Sequence, residues 1–242
     1  MRNIKLTLEY DGTKFFGWQY QPDARTVQGE IERSLKQLLQ EEVSLIGSGR
    51  TDAGVHAFAQ VANFHTANPL DTQKIRSGLN ALLPHDVVVH EVEEVEADFH
   101  ARYSAKAREY RYVISKVMRA VGRQYSWFFP EALDVTLMQR ASQVLVGEHD
   151  FSSFCQTDFE GNHYLCTLER IQWTEFKDEI VLEVVANRFL HNMVRIIVGT
   201  MIDVGRGKVP SGQVQTIRDA RDRRTAGRTV PAHGLFLVRV IY

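Results

Sequence analysis

The sequence contains little of what marks membrane or secreted proteins. No apolar run approaches the roughly 18 residues that a membrane-spanning helix requires. The longest candidate, residues 193–204, is interrupted by Arg195, Gly199 and Asp203. The first residues lead directly into an alternating strand, with no apolar segment typical of a signal peptide. These absences predict a cytoplasmic protein without membrane contact.

Cysteine is also scarce, with only Cys155 and Cys166 in 242 residues. Their spacing suits neither a C-x-x-C redox pair nor a four-ligand zinc site, so we expect reduced structural thiols. The nine histidines are scattered and form no H-E-x-x-H motif. The phosphate-binding loop, the dinucleotide fingerprint and the G-x-S-x-G elbow are missing as well. We therefore expect neither a metal nor a cofactor.

Net charge is close to balanced, at −1, but its distribution is uneven. Residues 100–124 carry seven Lys or Arg against one acid, and residues 218–228 carry five Arg against two Asp. Residues 86–98 hold six acids and no Lys or Arg. This segregation predicts one basic surface, of the kind that tracks nucleic-acid phosphates. The alternative is that each run is merely a solvated face.

Strands and helices alternate along the chain without regular βαβ units. Residues 4–10 alternate strictly, and Thr26 is placed to cap a helix with an apolar stripe from Val27 to Leu39. The pattern predicts an α+β fold with two similar halves, residues 1–103 and 104–242, each a largely antiparallel sheet flanked by helices. Further strands are predicted at 43–46, 57–64, 87–92, 105–117, 168–176, 180–186 and 235–242, and helices from 71, at 134–147, 190–204 and 212–220.

The most informative stretch is residues 49–56, Gly-Arg-Thr-Asp-Ala-Gly-Val-His. It places one carboxylate, Asp52, beside the guanidinium of Arg50, on a turn between two predicted strands. Glycine at both ends, Gly49 and Gly54, permits a positive φ or close approach of a ligand. Loops held by rigid strands often carry functional residues. The alternative is a plain hairpin turn with a solvated aspartate.

Two other residues stand in unusual settings. Arg195 lies within an apolar helix, where a buried arginine needs a carboxylate partner; the alternative is a side chain that reaches solvent at the helix edge. Tyr110 lies on a strand in the most basic region, on the same face as Tyr112 and Arg108. Strand tyrosines usually pack half-buried, yet one beside basic side chains can stack on a nucleobase.

Several motifs together resemble the tRNA pseudouridine synthase A family over nearly the whole chain. The 49–56 stretch looks like the family signature, and five further segments match in order. Only the segment between Cys155 and Cys166 fits loosely. The five segments are residues 9–12 with 16–19, 98–102, 108–112, 189–195 with 197–199, and 232–235.

The resemblance implies an enzyme that isomerises uridine to pseudouridine in the anticodon stem-loop of tRNA, at tRNA positions 38, 39 and 40. It implies that Asp52 is the catalytic carboxylate and that Arg195 pairs with it across a cleft between the two halves. Tyr110 would stack on the target base, Leu235 would line the pocket, and Arg50 would fill the space left by the flipped nucleotide. It also implies a homodimer in which both subunits contact one tRNA.

The chemistry is compatible with a single carboxylate. Breaking a glycosidic bond and rejoining the same base through carbon needs no redox change, metal or external energy. Asp52 would act either as a nucleophile or by taking a proton from the sugar. Two other classes remain to be weighed: an RNA-binding protein without catalysis, and an aspartate-dependent hydrolase such as an aspartyl phosphatase. The latter would require a second acid and magnesium, and no D-x-D occurs.

Overall fold

A computed structural model describes residues 1–156 and 163–242. Residues 157–162, within the segment that fits the family pattern loosely, lie outside the described part. The helices are α1 (Val27–Leu39), α2 (Thr72–Leu82), α3 (Val135–Ser142), α4 (Met193–Gly205) and α5 (Gln213–Asp219). The strands are β1 (Arg2–Tyr10), β2 (Ile46–Gly47), β3 (His56–Thr66), β4 (Val87–Val95), β5 (Ala107–Ser115), β6 (Trp127–Phe128), β7 (Gly147–Asp150), β8 (Leu165–Glu175), β9 (Glu179–Ala186) and β10 (Leu235–Ile241).

The predicted α+β class is confirmed, and the chain forms two compact units. The first comprises Met1–Lys106 with Phe236–Tyr242, and the second comprises Ala107–Leu235. The sequence-based division at residues 103/104 placed the last strand with the second half. In the structure β10 belongs with the first unit, because Phe236 and Leu237 pair in parallel with His56 and Ala57 of β3.

In the first unit β1 lies between β3 and β4 and is antiparallel to both. Its predicted alternation is confirmed: Ile4, Leu6 and Leu8 are fully buried, while the residues between them are partly exposed. The amphipathic helices α1 and α2 pack together and bury their own apolar stripes. Thr26 caps α1 as predicted, since its hydroxyl accepts a hydrogen bond from the Gly29 N–H.

In the second unit β5, β9, β8 and β7 pair antiparallel in that order, and β6 adds a short parallel pairing to β5. Helix α3 packs on α4 and on β8. Helix α4 is buried on nearly every side, with only Arg195 and Asp203 partly exposed. A Cβ on Gly199 would lie 1.9 Å from the Arg228 carbonyl oxygen, so glycine permits residues 227–230 to run directly along α4.

Several predicted elements have different bounds in the structure. Of the predicted strand at 43–46, only Ile46 lies in a strand. Together with Gly47 it forms β2, which pairs antiparallel with β3. The helix predicted at 134–147 ends at Ser142, and Gly147, with φ of 107°, begins β7. The helix predicted from 190 starts at Met193, because Asn192 takes a left-handed conformation with φ of 61° that cannot continue a helix.

Within the described residues, no helix is both long enough and apolar enough to cross a membrane.

The close approach at Gly199 generates a stability prediction. Gly199→Ala should lower the free energy of unfolding by about 3 kcal/mol, because the new methyl group would collide with a backbone carbonyl that has little freedom to move. Gly212→Ala is the matched control in the same unit, since a Cβ there meets nothing within 4 Å. Urea unfolding would measure both variants. Equal stability of the two would contradict the packing of residues 227–230 on α4.

Candidate active site

Asp52 lies in the loop between β2 and β3, and this loop is hydrogen-bonded to the segment that follows β1. The Trp18 N–H donates to the Thr51 carbonyl oxygen at 3.0 Å, and the Gly54 N–H donates to the Phe15 carbonyl oxygen at 3.3 Å. Inside the loop, the Val55 N–H donates to the Asp52 carbonyl oxygen at 3.1 Å. The Asp52 side chain is partly exposed. The Asp52 carboxylate is therefore accessible to a ligand, while hydrogen bonds hold the backbone of the loop on both sides of it.

Of the two glycines predicted to permit a positive φ in the Asp52 loop, one has it and the other does not. Gly54 has a φ of 79°, which favours glycine, whereas Gly49 is not among the residues with positive φ. A third glycine is also required. Gly17 has a φ of 89°, and a Cβ on it would lie 2.6 Å from the Thr51 carbonyl oxygen. The Phe-Gly-Trp segment can therefore approach the Asp52 loop closely only because residue 17 lacks a side chain.

Four buried side chains form a hydrogen-bond network beneath the loop. The Tyr10 and Thr51 hydroxyl groups are 2.7 Å apart, and the Ser48 hydroxyl donates to Gln60 Oε1 at 2.7 Å. Gln60 Nε2 donates to the Gly49 carbonyl oxygen at 3.0 Å and lies 3.5 Å from the Tyr10 hydroxyl. We call the side chains of Tyr10, Ser48, Thr51 and Gln60 the Gln60 network. The sequence reasoning missed it, although a glutamine inside the apolar β3 was a signal.

The segment that supports the loop is itself held by an ion pair. Arg25 makes two hydrogen bonds of 2.8 Å to the carboxylate of Asp86, and its guanidinium carbon lies 4.2 Å from the centre of the buried Phe15 ring. The hydrogen bonds to Asp86 raise the pKa of Arg25 above its ordinary value. Phe15, whose carbonyl receives the Gly54 N–H, is thus fixed from its side-chain face as well.

Arg50, the predicted intercalating residue, has an exposed side chain between two anchored neighbours. Gly49 and Thr51 both take part in hydrogen bonds described above, through a carbonyl oxygen and a hydroxyl. The guanidinium can therefore extend outward while its backbone stays in place. Its insertion into a nucleic acid stays a prediction.

Tyr110 lies on β5 opposite Val184 of β9. Its ring is only 9% exposed, and it meets Phe189 edge-on, with 4.9 Å between ring centres. Arg108 on the same face donates from Nη1 to the Asn187 carbonyl oxygen at 2.8 Å. The packing interpretation of this tyrosine is therefore correct, and its stacking on a base stays a prediction.

Arg195 occupies the first turn of α4. The sequence argument took this side chain to be buried, but the structure leaves it partly exposed. Its Nε donates to the Val230 carbonyl oxygen at 2.8 Å, and its Nη1 donates to Asn192 Oδ1 at 2.5 Å. Two of the Arg195 donors thus form hydrogen bonds to neutral oxygens. The position of this guanidinium in α4 therefore does not by itself imply a carboxylate partner. Its pairing with Asp52 stays a prediction.

Leu235 follows the segment that Arg195 contacts. The Tyr112 hydroxyl donates to the Pro231 carbonyl oxygen at 2.8 Å, and burial raises the pKa of this phenol well above its ordinary range. Burial also lowers the pKa of His233. Leu235 itself is buried, at 6% exposure. The second unit therefore gathers β5, the start of α4 and residues 230–235 into one region that contains three of the five predicted site residues.

The predicted basic surface is weaker than the charge count suggested. Many of its cations already pair with carboxylates, among them Arg111 with Glu183 and Lys116 with Glu175. The hydrogen bonds from Arg224 lower the pKa of Asp222 to about 2. Counting basic residues along residues 100–124 overlooks such pairings, because Glu183 and Glu175 lie on other strands.

In residues 1–156 and 163–242, no three His, Cys, Asp or Glu side chains are grouped as a metal site would require. Both cysteines are buried, and burial raises the pKa of Cys155 to about 11 and that of Cys166 to about 12. They behave as the structural thiols that the sequence predicted.

Comparison with known proteins shows the family. The sequence model of a family described as tRNA pseudouridine synthase matches residues 7–104 and 141–242. A tRNA pseudouridine synthase A from Caldicellulosiruptor bescii is 47% identical over all of both chains. One from Bacillus licheniformis is 44% identical, over 99% of this chain and 98% of its own. The chain belongs to the tRNA pseudouridine synthase A family. It is an isomerase that acts on tRNA, so neither the non-catalytic RNA-binding protein nor the hydrolase describes it.

Similarity to a solved structure is more remote. The structure of an H/ACA RNP bound to a substrate RNA containing 2'-deoxyuridine aligns with 83% of this chain and 53% of the matched chain. The identity is 11% and the TM-score is 0.35, too low to support an argument.

The contacts of Arg195 within the second unit predict a structural role. Arg195→Met should lower the free energy of unfolding by about 1–3 kcal/mol, because the oxygens of Val230 and Asn192 lose a charged donor. Arg224→Met, at an 89% exposed side chain, should leave the free energy of unfolding nearly unchanged. Urea unfolding of both variants tests this; equal losses would mean that the Arg195 contacts contribute nothing specific.

Proposed function

We propose that this enzyme converts uridines at positions 38, 39 and 40 of the tRNA anticodon stem-loop to pseudouridine, with Asp52 as its catalytic carboxylate. Membership of the family supports the reaction and the substrate class. The choice of positions and of Asp52 rests on the resemblance of residues 49–56 to the family signature. The observation that carries the proposal is the setting of Asp52: its side chain is partly exposed, while hydrogen bonds hold the backbone on both sides of it.

The reaction needs one group that acts at the sugar. The bond between uracil N1 and C1' breaks, the base turns, and a bond from C5 to C1' forms; the hydrogen on C5 is lost and N1 gains one, so substrate and product are isomers. Asp52 can attack C1' as a nucleophile or take a proton from the sugar, and both routes require the ionised carboxylate. Either route also requires that the uracil be retained while it is detached.

The other four residues supply binding and charge in this proposal. Arg195 provides a cation that orients the Asp52 carboxylate. Tyr110 stacks on the target uracil and Leu235 lines the space around it. Arg50 enters the helix when the nucleotide flips out, which offsets part of the unstacking cost of a few kcal/mol. Exposure of the Arg50 side chain supports the last role.

We further infer a homodimer, located in the cytoplasm, in which one tRNA contacts both subunits. This inference rests on the resemblance stated for the sequence. Analytical ultracentrifugation should give a mass twice the 27.7 kDa of one chain. Recognition should depend on shape and phosphate contacts, because three neighbouring positions of different sequence context are modified.

The assignment of Asp52 predicts a clean loss of chemistry. Asp52→Asn keeps the size of the side chain and removes its charge, so folding and tRNA affinity should persist while pseudouridine formation disappears. The measurement is tritium release from tRNA labelled at uridine C5, in single turnover with excess protein. Asp178→Asn, in the turn between β8 and β9, should retain full activity. Turnover by Asp52→Asn at the original rate would remove Asp52 from the catalytic role.

The role of Arg195 predicts a graded response. Arg195→Lys keeps the positive charge but loses the planar guanidinium, so the single-turnover rate should fall about tenfold or more while some activity remains. Arg170→Lys is the control, since Arg170 also bonds to a carboxylate, that of Glu109, within the second unit. The same rate in Arg195→Lys as in the unmodified enzyme would show that the reaction does not need this guanidinium.

A further inference from the structure

We propose that Tyr10 and Thr51 are positioning residues for the reaction: their hydrogen bond, within the Gln60 network, sets the place of the Asp52 carboxylate. The inference rests on the proposed role of Asp52. It assigns a function to Tyr10, which precedes the Asp52 loop by about 40 residues and carries no chemistry of its own.

The burial of the Gln60 network is the first argument. Gln60 is fully buried, and Tyr10, Ser48 and Thr51 are each no more than 6% exposed. Removing such polar groups from water is costly unless each finds a partner in a suitable direction. An apolar cluster of the same volume would hold the strands together without that requirement. What the polar network adds is direction, because hydrogen bonds specify where the loop atoms lie.

The location of the contacts is the second argument. Gln60 on β3 accepts a hydrogen bond from the Ser48 hydroxyl and donates one to the Gly49 carbonyl oxygen. Both of these residues precede Arg50. The Tyr10 hydroxyl on β1 is hydrogen-bonded to the hydroxyl of Thr51, the residue directly before Asp52. The two neighbouring strands β1 and β3 thus hold the loop on either side of Arg50.

Thr51 is held twice, and this determines the position of the next residue. Its hydroxyl bonds to Tyr10, and its carbonyl oxygen accepts from the Trp18 N–H. With both ends of the residue fixed, the Cα of Asp52 is fixed as well. A carboxylate that must reach one atom of a sugar loses rate when displaced by even about 1 Å, because productive orientation supplies much of the barrier reduction.

Tyr10 stays protonated at neutral pH, so the hydrogen bonds of the Gln60 network stay intact. Burial raises the pKa of Tyr10 to about 12, and its hydrogen bonds to Thr51 and Gln60 lower it only in part. The phenol therefore keeps its proton and can share it with Thr51. Its ring also packs near Trp18, with 6.2 Å between ring centres, so removing the hydroxyl alone leaves the packing in place.

The experiment is a double-mutant cycle on this hydrogen bond. Tyr10→Phe and Thr51→Val each remove one hydroxyl and keep the shape. Single-turnover rates with excess protein, tRNA affinity and urea unfolding would be measured for both and for the double variant. We expect each single variant to lose at least tenfold in rate with tRNA affinity within twofold of the original. The double variant should lose no more than either single variant, because all three lack the same bond. Thr51→Ser, which retains a hydroxyl, should recover most of the rate.

Thr66→Val is the matched control. Thr66 is buried at the far end of β3, and its hydroxyl accepts a hydrogen bond from the Asn68 N–H. It should lose stability and keep its rate. The proposal is overturned if Tyr10→Phe and Thr51→Val react at the original rate, if their losses multiply in the double variant, or if Thr66→Val loses rate equally. Asp52→Asn, assayed beside them, separates the two inferences: an active Asp52→Asn rejects the proposed function itself, while an inactive one with a fast Tyr10→Phe rejects only the positioning role.

Discussion

Hydrogen bonds from two adjacent strands hold the loop that carries Asp52 in the first unit. β1 and β3 pair along most of their length, which brings Tyr10 and Gln60 beneath residues 48–51. Both side chains are buried away from bulk solvent, so their polar groups need partners in the interior. The loop must therefore supply their partners, and a loop that does so has little freedom at Thr51. The position of the Asp52 backbone thus depends on the pairing of β1 with β3.

The segment after β1 completes this arrangement from the other side. It receives the Gly54 N–H at the Phe15 carbonyl and donates the Trp18 N–H to Thr51. Its own place depends on Arg25, which joins Asp86 and covers the Phe15 ring. Because this ion pair is bidentate and partly shielded from solvent, it restrains orientation more than an exposed pair would. The geometry of the Asp52 loop thus depends on fixed supports around it as well as on its own residues.

In the second unit the corresponding constraint is the packing of residues 227–235 on α4. The Arg228 carbonyl occupies the space that a side chain on Gly199 would fill, and Val230 accepts from Arg195. Tyr112 then fixes Pro231 through its hydroxyl. Leu235 enters β10 directly after this fixed path, so its place depends on both α4 and β5. A buried helix, in which Gly199 leaves room for the backbone of Arg228, therefore organises the region that contains Tyr110, Arg195 and Leu235.

Local patterns in the sequence determined much of this protein. The alternation of β1 and the cap at Thr26 were both predicted, because each depends on neighbours within one element. Residues 49–56 also marked the candidate loop. Only the tertiary structure decided that β10 joins β3, that neutral oxygens serve two donors of Arg195, and that Tyr10 and Gln60 hold the loop. These features join residues far apart along the chain, and they depend on strand register and on burial, which no periodicity encodes.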